Sequence, residues 1–172
     1  PCLELSFSDF PNGADVGWTP ADWAWIGGLM DMALPCFYYR VPLVAKRFDR
    51  FTAEAAFALI RDAKVTRAFL PPTALKMMRQ AKVPKAARLV SISSGGEPLS
   101  PDLISWAKTK MGAEVNELYG QTECNLSAGS ARTLGVAKTG WIGQAFPGFD
   151  LRILDVDGQA VPYGEIGQIC VN

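Results

Sequence analysis

Arg88-Leu89-Val90-Ser91-Ile92-Ser93-Ser94-Gly95-Gly96-Glu97-Pro98, with Ser100-Pro101-Asp102 close behind and Ala113-Glu114-Val115-Asn116-Glu117-Leu118 further on, decides the architecture. Arg88 to Ser93 has the length and apolar content of a strand, and Gly-Gly-Glu-Pro reads as the turn that follows it. Ser100-Pro101-Asp102 is a helix start, with a hydroxyl at the cap, proline in the first turn and an acid beside it. Leu103, Trp106 and Ala107 form the inward stripe of that helix, and Gly112 is placed to end it after Met111. Ala113 to Leu118 is a second strand. A strand, a helix and a strand joined by short connections predict parallel pairing, because the crossover helix returns the chain to the same end of the sheet.

Upstream the same alternation recurs. Val65 to Leu70 reads as a strand stopped by Pro71-Pro72, which open a short helix through Leu75 and Met78. Thr52 caps a helix with Ala56, Leu59, Ile60 and Ala63 on one face, and Val41 to Phe48 is the first strand candidate. Thr19-Pro20-Ala21-Asp22 predicts a further helix running to about Leu34, apolar on nearly every face and therefore buried. Downstream of about Trp141 the style changes. Leu151-Arg152-Ile153 alternates, Asp157-Gly158 is a hairpin turn, and Gln168 to Val171 is an apolar strand. The expected fold class is α/β: a mostly parallel sheet flanked by helices over residues 1–140, then the start of a β-rich subdomain over 141–172, truncated at its end.

Composition narrows the chemistry. The 172 residues are 49% apolar and 20% charged, the balance of one globular domain. Seventeen Lys and Arg balance seventeen Asp and Glu, so the electrostatic footprint of a general nucleic-acid binder is absent. The chain has no histidine, which excludes a Ser-His-Asp or Cys-His nucleophile and an imidazole proton shuttle within it. Cys2, Cys36, Cys124 and Cys170 form no CxxC pair, and a reducing cytoplasm is the expected compartment. The first residues lack the pattern of a signal peptide. The apolar stretch Trp23 to Tyr39 is interrupted by Asp31 and Pro35 and falls short of the ~20 residues of a membrane span, so no spanning segment is expected.

In an open parallel sheet ligands bind beyond the carboxyl ends of the strands. Two segments lie there, Ser93 to Pro98 and Tyr119-Gly120-Gln121-Thr122-Glu123, and they are expected to face one cleft. On its own Gly-Gly-Glu-Pro reads as a turn before a helix. The second segment combines an aromatic face, a flexible backbone, an amide, a hydroxyl and a carboxylate, a set able to stack a base, donate to phosphate and hold a hard cation. Its plain alternative is a polar loop with a solvated Glu123. Trp23 and Trp25 read as core, and Cys124, with no basic neighbour in sequence, as packing.

Ser94-Gly95-Gly96-Glu97-Pro98-Leu99, Glu117-Leu118-Tyr119-Gly120-Gln121-Thr122-Glu123, Asp15-Val16-Gly17-Trp18 and Gly164-Glu165-Ile166-Gly167 occur here in order. With them the span from Asp15 to Val171 resembles the middle of the larger domain of adenylate-forming (AMP-binding) enzymes, specifically acyl-CoA synthetases of the acetyl- and medium-chain branch. The resemblance implies that a carboxylic acid attacks the α-phosphate of ATP to give acyl-adenylate, and that coenzyme A then takes the acyl group. It further implies that Gly95, Gly96, Glu97 and Pro98 border the adenine and acyl sites, that Glu117 and Tyr119 contact adenine, and that Leu118, Gly120 and Gln121 complete the nucleotide-binding segment. Thr122 would contact phosphate and Glu123 would hold Mg2+, the two making up the catalytic pair. Trp25, Gly96 and Gly120 would border the acyl substrate.

Acetate-specific relatives carry Trp where this sequence has Gly120, so an acid longer than acetate is expected. An aromatic side chain fills about 150–250 Å². The resemblance also implies that the family's phosphate loop precedes Pro1 and that its adenylation lysine follows Asn172. The chain is then an internal fragment, with no ligase activity of its own. Two alternatives stay open: another adenylate-former, such as a peptide-synthetase adenylation domain or an aryl-acid ligase, and a non-catalytic α/β module that binds a nucleotide or partner.

Overall fold

The computed structural model describes residues 10–132 and 135–172, so Cys2 lies outside the described residues. Nine strands are described: β1 (Gly17–Trp18), β2 (Leu43–Val44), β3 (Arg67–Phe69), β4 (Ser91–Gly95), β5 (Glu114–Gln121), β6 (Asn125–Gly129), β7 (Gln144–Ala145), β8 (Leu151–Leu154) and β9 (Gln168–Val171). A seven-stranded sheet has the order β2-β1-β3-β4-β5-β6-β7, and β8 pairs with β9 in a separate two-stranded sheet. β2 through β5 are parallel neighbours, whereas β5-β6 and β6-β7 are antiparallel. The expected mostly parallel α/β sheet is therefore the observed one. Past residue 141, β7 still joins the large sheet, and β8 and β9 supply the antiparallel pair that follows it.

Both faces of the central strands are buried, as a sheet with crossover helices requires. On one face Ala68, Ile92 and Val115 pack with Phe57 and Ile60 of helix Ala53–Asp62, Leu75 and Met78 of helix Pro72–Arg79, and Leu103 of helix Pro101–Trp106. On the other, Phe69 and Leu118 pack with Met32, Cys36, Leu126 and Phe146. Thr52 caps its helix as expected, its hydroxyl accepting from the Ala55 amide at 3.2 Å. Thr52→Ala should cost about 1 kcal/mol, read as a lower urea midpoint with an unchanged slope.

The first helix departs from expectation. It begins at Ile26 and runs through three consecutive pieces, Ile26–Gly28, a π-helical Leu29–Ala33, and Leu34–Tyr38. The Thr19 hydroxyl accepts from the Ala21 amide and the Asp22 carboxylate from the Ala24 amide, so these two side chains make local turns that delay the helix. Nor is it buried all round, because Leu29, Met30, Leu34, Phe37 and Tyr38 are exposed. Of the strand expected over 41–48 only Leu43–Val44 pairs. The helix at Pro101 ends as expected, with Gly112 in the left-handed region at φ 74° after a π-helical Ala107–Met111. Its Ser100 makes no side-chain cap.

Candidate active-site cleft

The site is built where β3, β4 and β5 end side by side. Ser94 pairs with Glu117 and Gly95 with Leu118, so the two motif segments are in register on adjacent strands. Tyr119, Gly120 and Gln121 were expected in a loop after Leu118, but β5 continues through them to Gln121. The reason is β6, which returns antiparallel after a tight turn at Thr122-Glu123-Cys124 and supplies partners for the extended backbone. The pairing shifts register between Tyr119 and Gly120. At Gly120 the return strand passes so close that a Cβ would collide with the Asn125 carbonyl oxygen. Glycine is thus required here by its lack of a side chain.

A cleft of about 300 Å³ opens at this edge. It brings together Trp25, Gly95, Gly96, Glu97, Leu118, Gly120 and Gln121 of the expected site residues. Leu118 and Gly120 line it from β5 and Gln121 joins them at the end of the strand, past the shift in register, whereas Glu117 and Tyr119 do not. Pro98, Thr122 and Glu123 also lie outside its lining, all three exposed. Trp25 is not core: it is 72% exposed, and it forms part of the cleft wall. Trp23 is half-buried against Phe37, edge to face.

Glu117 has a job within the fold. It is buried, and its Oε1 accepts from the Leu99 amide at 2.9 Å, tying the Gly95–Leu99 turn to β5. Glu117→Ala would orphan a buried amide, so we expect a loss of about 1–3 kcal/mol in thermal unfolding. Glu117→Gln, which keeps the acceptor oxygen, should lose less than half of that. Glu97 is exposed and meets Lys76 at 3.2 Å, a surface pair that contributes little. Cys124 is half-buried, and its thiol points to the Asn125 carbonyl at 3.6 Å, in keeping with packing.

Several lining residues were not anticipated. Asp31 sits on the π-helical piece, 3% exposed, and burial pushes its carboxyl up from 3.8 to about 7. Its Oδ1 has no hydrogen-bond partner among the described residues, and neither does Asn125 Oδ1 across the β5-β6 turn. Phe69, Pro71, Pro72 and Thr73 add the wall that follows β3. The sequence carried a signal for three of these: Asp31 as an acid interrupting an apolar run, and Pro71 and Pro72 as a pair at a third strand end. Asn125 had none, since its place depends on the return of β6. No cluster of three or more metal-binding side chains occurs among the described residues. An exposed carboxylate such as Glu123 nevertheless fits Mg2+, which keeps most of its waters and takes one or two carboxylates beside phosphate.

Comparison with known proteins agrees with this geometry. The chain is 29% identical over 170 residues to the human mitochondrial acyl-coenzyme A synthetase ACSM3, covering 97% of the chain and 28% of that protein. It is 27% identical over 160 residues to rat mitochondrial acyl-coenzyme A synthetase ACSM2, covering 92% of the chain and again 28% of the relative. The crystal structure of a Brucella canis acyl-CoA synthetase superposes with a TM-score of 0.85 at 28% identity, over 98% of this chain and 32% of that one. The chain thus spans little more than a quarter of the length of these curated relatives. The model of the AMP-binding enzyme family matches residues 3–172, and the chain belongs to that family.

Proposed function

We propose that the protein containing this chain is an ATP-dependent acyl-CoA synthetase acting on an acid longer than acetate. The observation that carries this reading is the largely apolar cleft of about 300 Å³ at the carboxyl ends of three adjacent parallel strands, floored by the Gly95-Gly96 and Gly120 backbone. In the first step a carboxylate oxygen of the acid bonds to the α-phosphorus of ATP, the bond from that phosphorus to the β-phosphate oxygen breaks, and pyrophosphate leaves. In the second, the sulfur of coenzyme A bonds to the acyl carbon, the thiol proton is lost, and AMP departs with the carbon–oxygen bond pair. Such chemistry needs orientation and charge neutralisation and no protein nucleophile, which suits a chain without histidine.

In this reading Trp25, Gly96 and Gly120 enclose the acyl tail. Gly95, Glu97 and Pro98 line the way to the nucleotide, Tyr119 stacks on adenine, and Leu118 and Gln121 flank it. Glu117 borders adenine while holding the Leu99 amide. Thr122 donates to the phosphate. Mg2+ held by Glu123 would offset phosphate charge as pyrophosphate forms. A reducing, cytoplasmic location is part of the proposal, supported by the free thiols of Cys36, Cys124 and Cys170, although the curated relatives bear mitochondrial names.

The test is ATP-dependent pyrophosphate release by the full-length protein across a panel of straight-chain, branched and aromatic acids, with the thioester read by mass spectrometry. Thioester formation with acids longer than acetate is expected. A preference for acetate overturns the substrate reading, adenylate without thioester points to a different acyl acceptor, and nucleotide binding without turnover overturns the ligase reading.

A further inference from the structure

Asp31 is a carboxyl side chain in a buried place that disfavours its charge. It is 3% exposed, it lines the cleft beside Phe69, Ile26 and Leu126, and its Oδ1 accepts from no donor among the described residues. Buried acceptors are normally paired, so an orphan that faces a cavity marks the place where a ligand completes the bond. Asn125, whose Oδ1 is also buried and without a partner among the described residues, lines the same cleft from the hairpin side. Two buried carbonyl-type acceptors of the cleft thus lack a donor among the described residues. Asp31 also stands on a π-helical turn, an irregularity frequent at functional sites because it re-aims side chains.

We infer that Asp31 is a specificity-determining residue that accepts a hydrogen bond from a hydroxyl group carried on the chain or ring of the acid, so that this enzyme activates hydroxylated acids in preference to their unsubstituted parents. This rests on the acyl-CoA synthetase reading above and names the substrate class of that same cleft. Burial pushes the Asp31 carboxyl up to about 7, so that near neutral pH it is present in both its charged and its neutral form, and a hydroxyl suits either. A hydroxyl can donate to the carboxylate or exchange hydrogen bonds with the neutral acid, whereas an ammonium requires a fixed counter-charge.

The experiment uses the full-length protein with hexanoate, its terminal hydroxy analogue and its terminal amino analogue, and with phenylpropanoate and its ring-hydroxylated analogue, reading kcat and KM from pyrophosphate release. The expected result is a preference of about tenfold to a hundredfold in kcat/KM for at least one hydroxylated acid over its parent, expressed in KM, as a hydrogen bond to a carboxyl group supplies. Asp31→Leu should erase that preference and improve the parent acids, and Asp31→Asn should keep part of it. Equal use of parent and hydroxylated acids, or an equal loss of both in Asp31→Leu, overturns the inference while leaving the ligase reading intact. A preference for the amino analogue overturns the choice of hydroxyl. Turnover of no acid removes the ligase reading itself. Melting provides a readout independent of activity: an unpaired Asp31 predicts that Asp31→Asn melts no lower than the parent protein, and a large drop would show the carboxyl engaged in the fold instead.

Discussion

Replacing Arg67 by alanine is expected to remove about 3–5 kcal/mol of stability, a large share of the roughly 5–15 kcal/mol that a domain has. Arg67 lies on β3 in the middle of the large sheet, and its Nε meets Asp15 Oδ1 at 2.7 Å with both side chains 1% exposed. The pair is embedded in a network. The Thr66 hydroxyl donates to the same Asp15 oxygen at 3.1 Å, the Asn12 amide donates to Oδ2 at 2.8 Å, and Arg67 Nη1 donates to the Ser91 hydroxyl at 3.1 Å. Truncating either ion strands the other without water, and the cost is that of an uncompensated buried charge. Asp15→Ala should therefore fall in the same range, and the double variant should be far less damaged than the sum of the singles. Added salt should change these differences little, since the pair is shielded from mobile ions. Urea unfolding of the single and double variants checks this. Additive losses would mean that the two charges are not coupled.

Under the proposed activity, Gly120→Trp is expected to lower kcat/KM for acids longer than acetate by more than about a hundredfold, and to do so in two ways. The indole would fill a cleft of about 300 Å³, and its Cβ would first have to displace the Asn125 carbonyl of the return strand. Gly120→Ala separates the two effects. It carries the same backbone collision with almost no side chain, so it should cost about 1–3 kcal/mol in unfolding while largely preserving the order of preference among acids in full-length protein. If Gly120→Ala is as stable as the parent, the return strand yields at this point and the collision is not a constraint. If Gly120→Trp leaves the chain-length profile unchanged, Gly120 does not border the acyl tail. An acid profile measured beside a melting curve distinguishes the cases.

The places where the sequence could be read and where it could not follow one physical line. Thr52, Pro72, Pro101 and Gly112 mark helix ends through groups within a turn of their own backbone, and each stands at or next to a helix end in the structure. Thr19 and Asp22 use the same kind of group, yet their local bonds close turns rather than cap a helix, a choice between two short-range outcomes that the pattern alone does not make. Tyr119 to Gln121 read as loop because glycine and polar residues weaken strand character. They are strand because β6 comes back beside them.

Local chemistry thus determined the alternation of strands and helices, the parallel pairing it enforces, and the two segments that meet at the sheet edge, since each depends on periodicity, caps and turn residues close in the chain. Tertiary structure alone decided which of those residues share a cleft. β5 turned Leu118 and Gly120 inward and Glu117 away, the β5-β6 hairpin brought Asn125 to the same cleft, and the packing of the first helix against Phe69 and Leu118 buried Asp31 at its wall, its Oδ1 without a partner among the described residues. Asp15 and Arg67 belong to the same category, for 52 residues of chain separate them and only the order of β1 and β3 in the sheet makes them one buried pair. Burial and pairing are properties of neighbours distant in sequence, and no local pattern carries them.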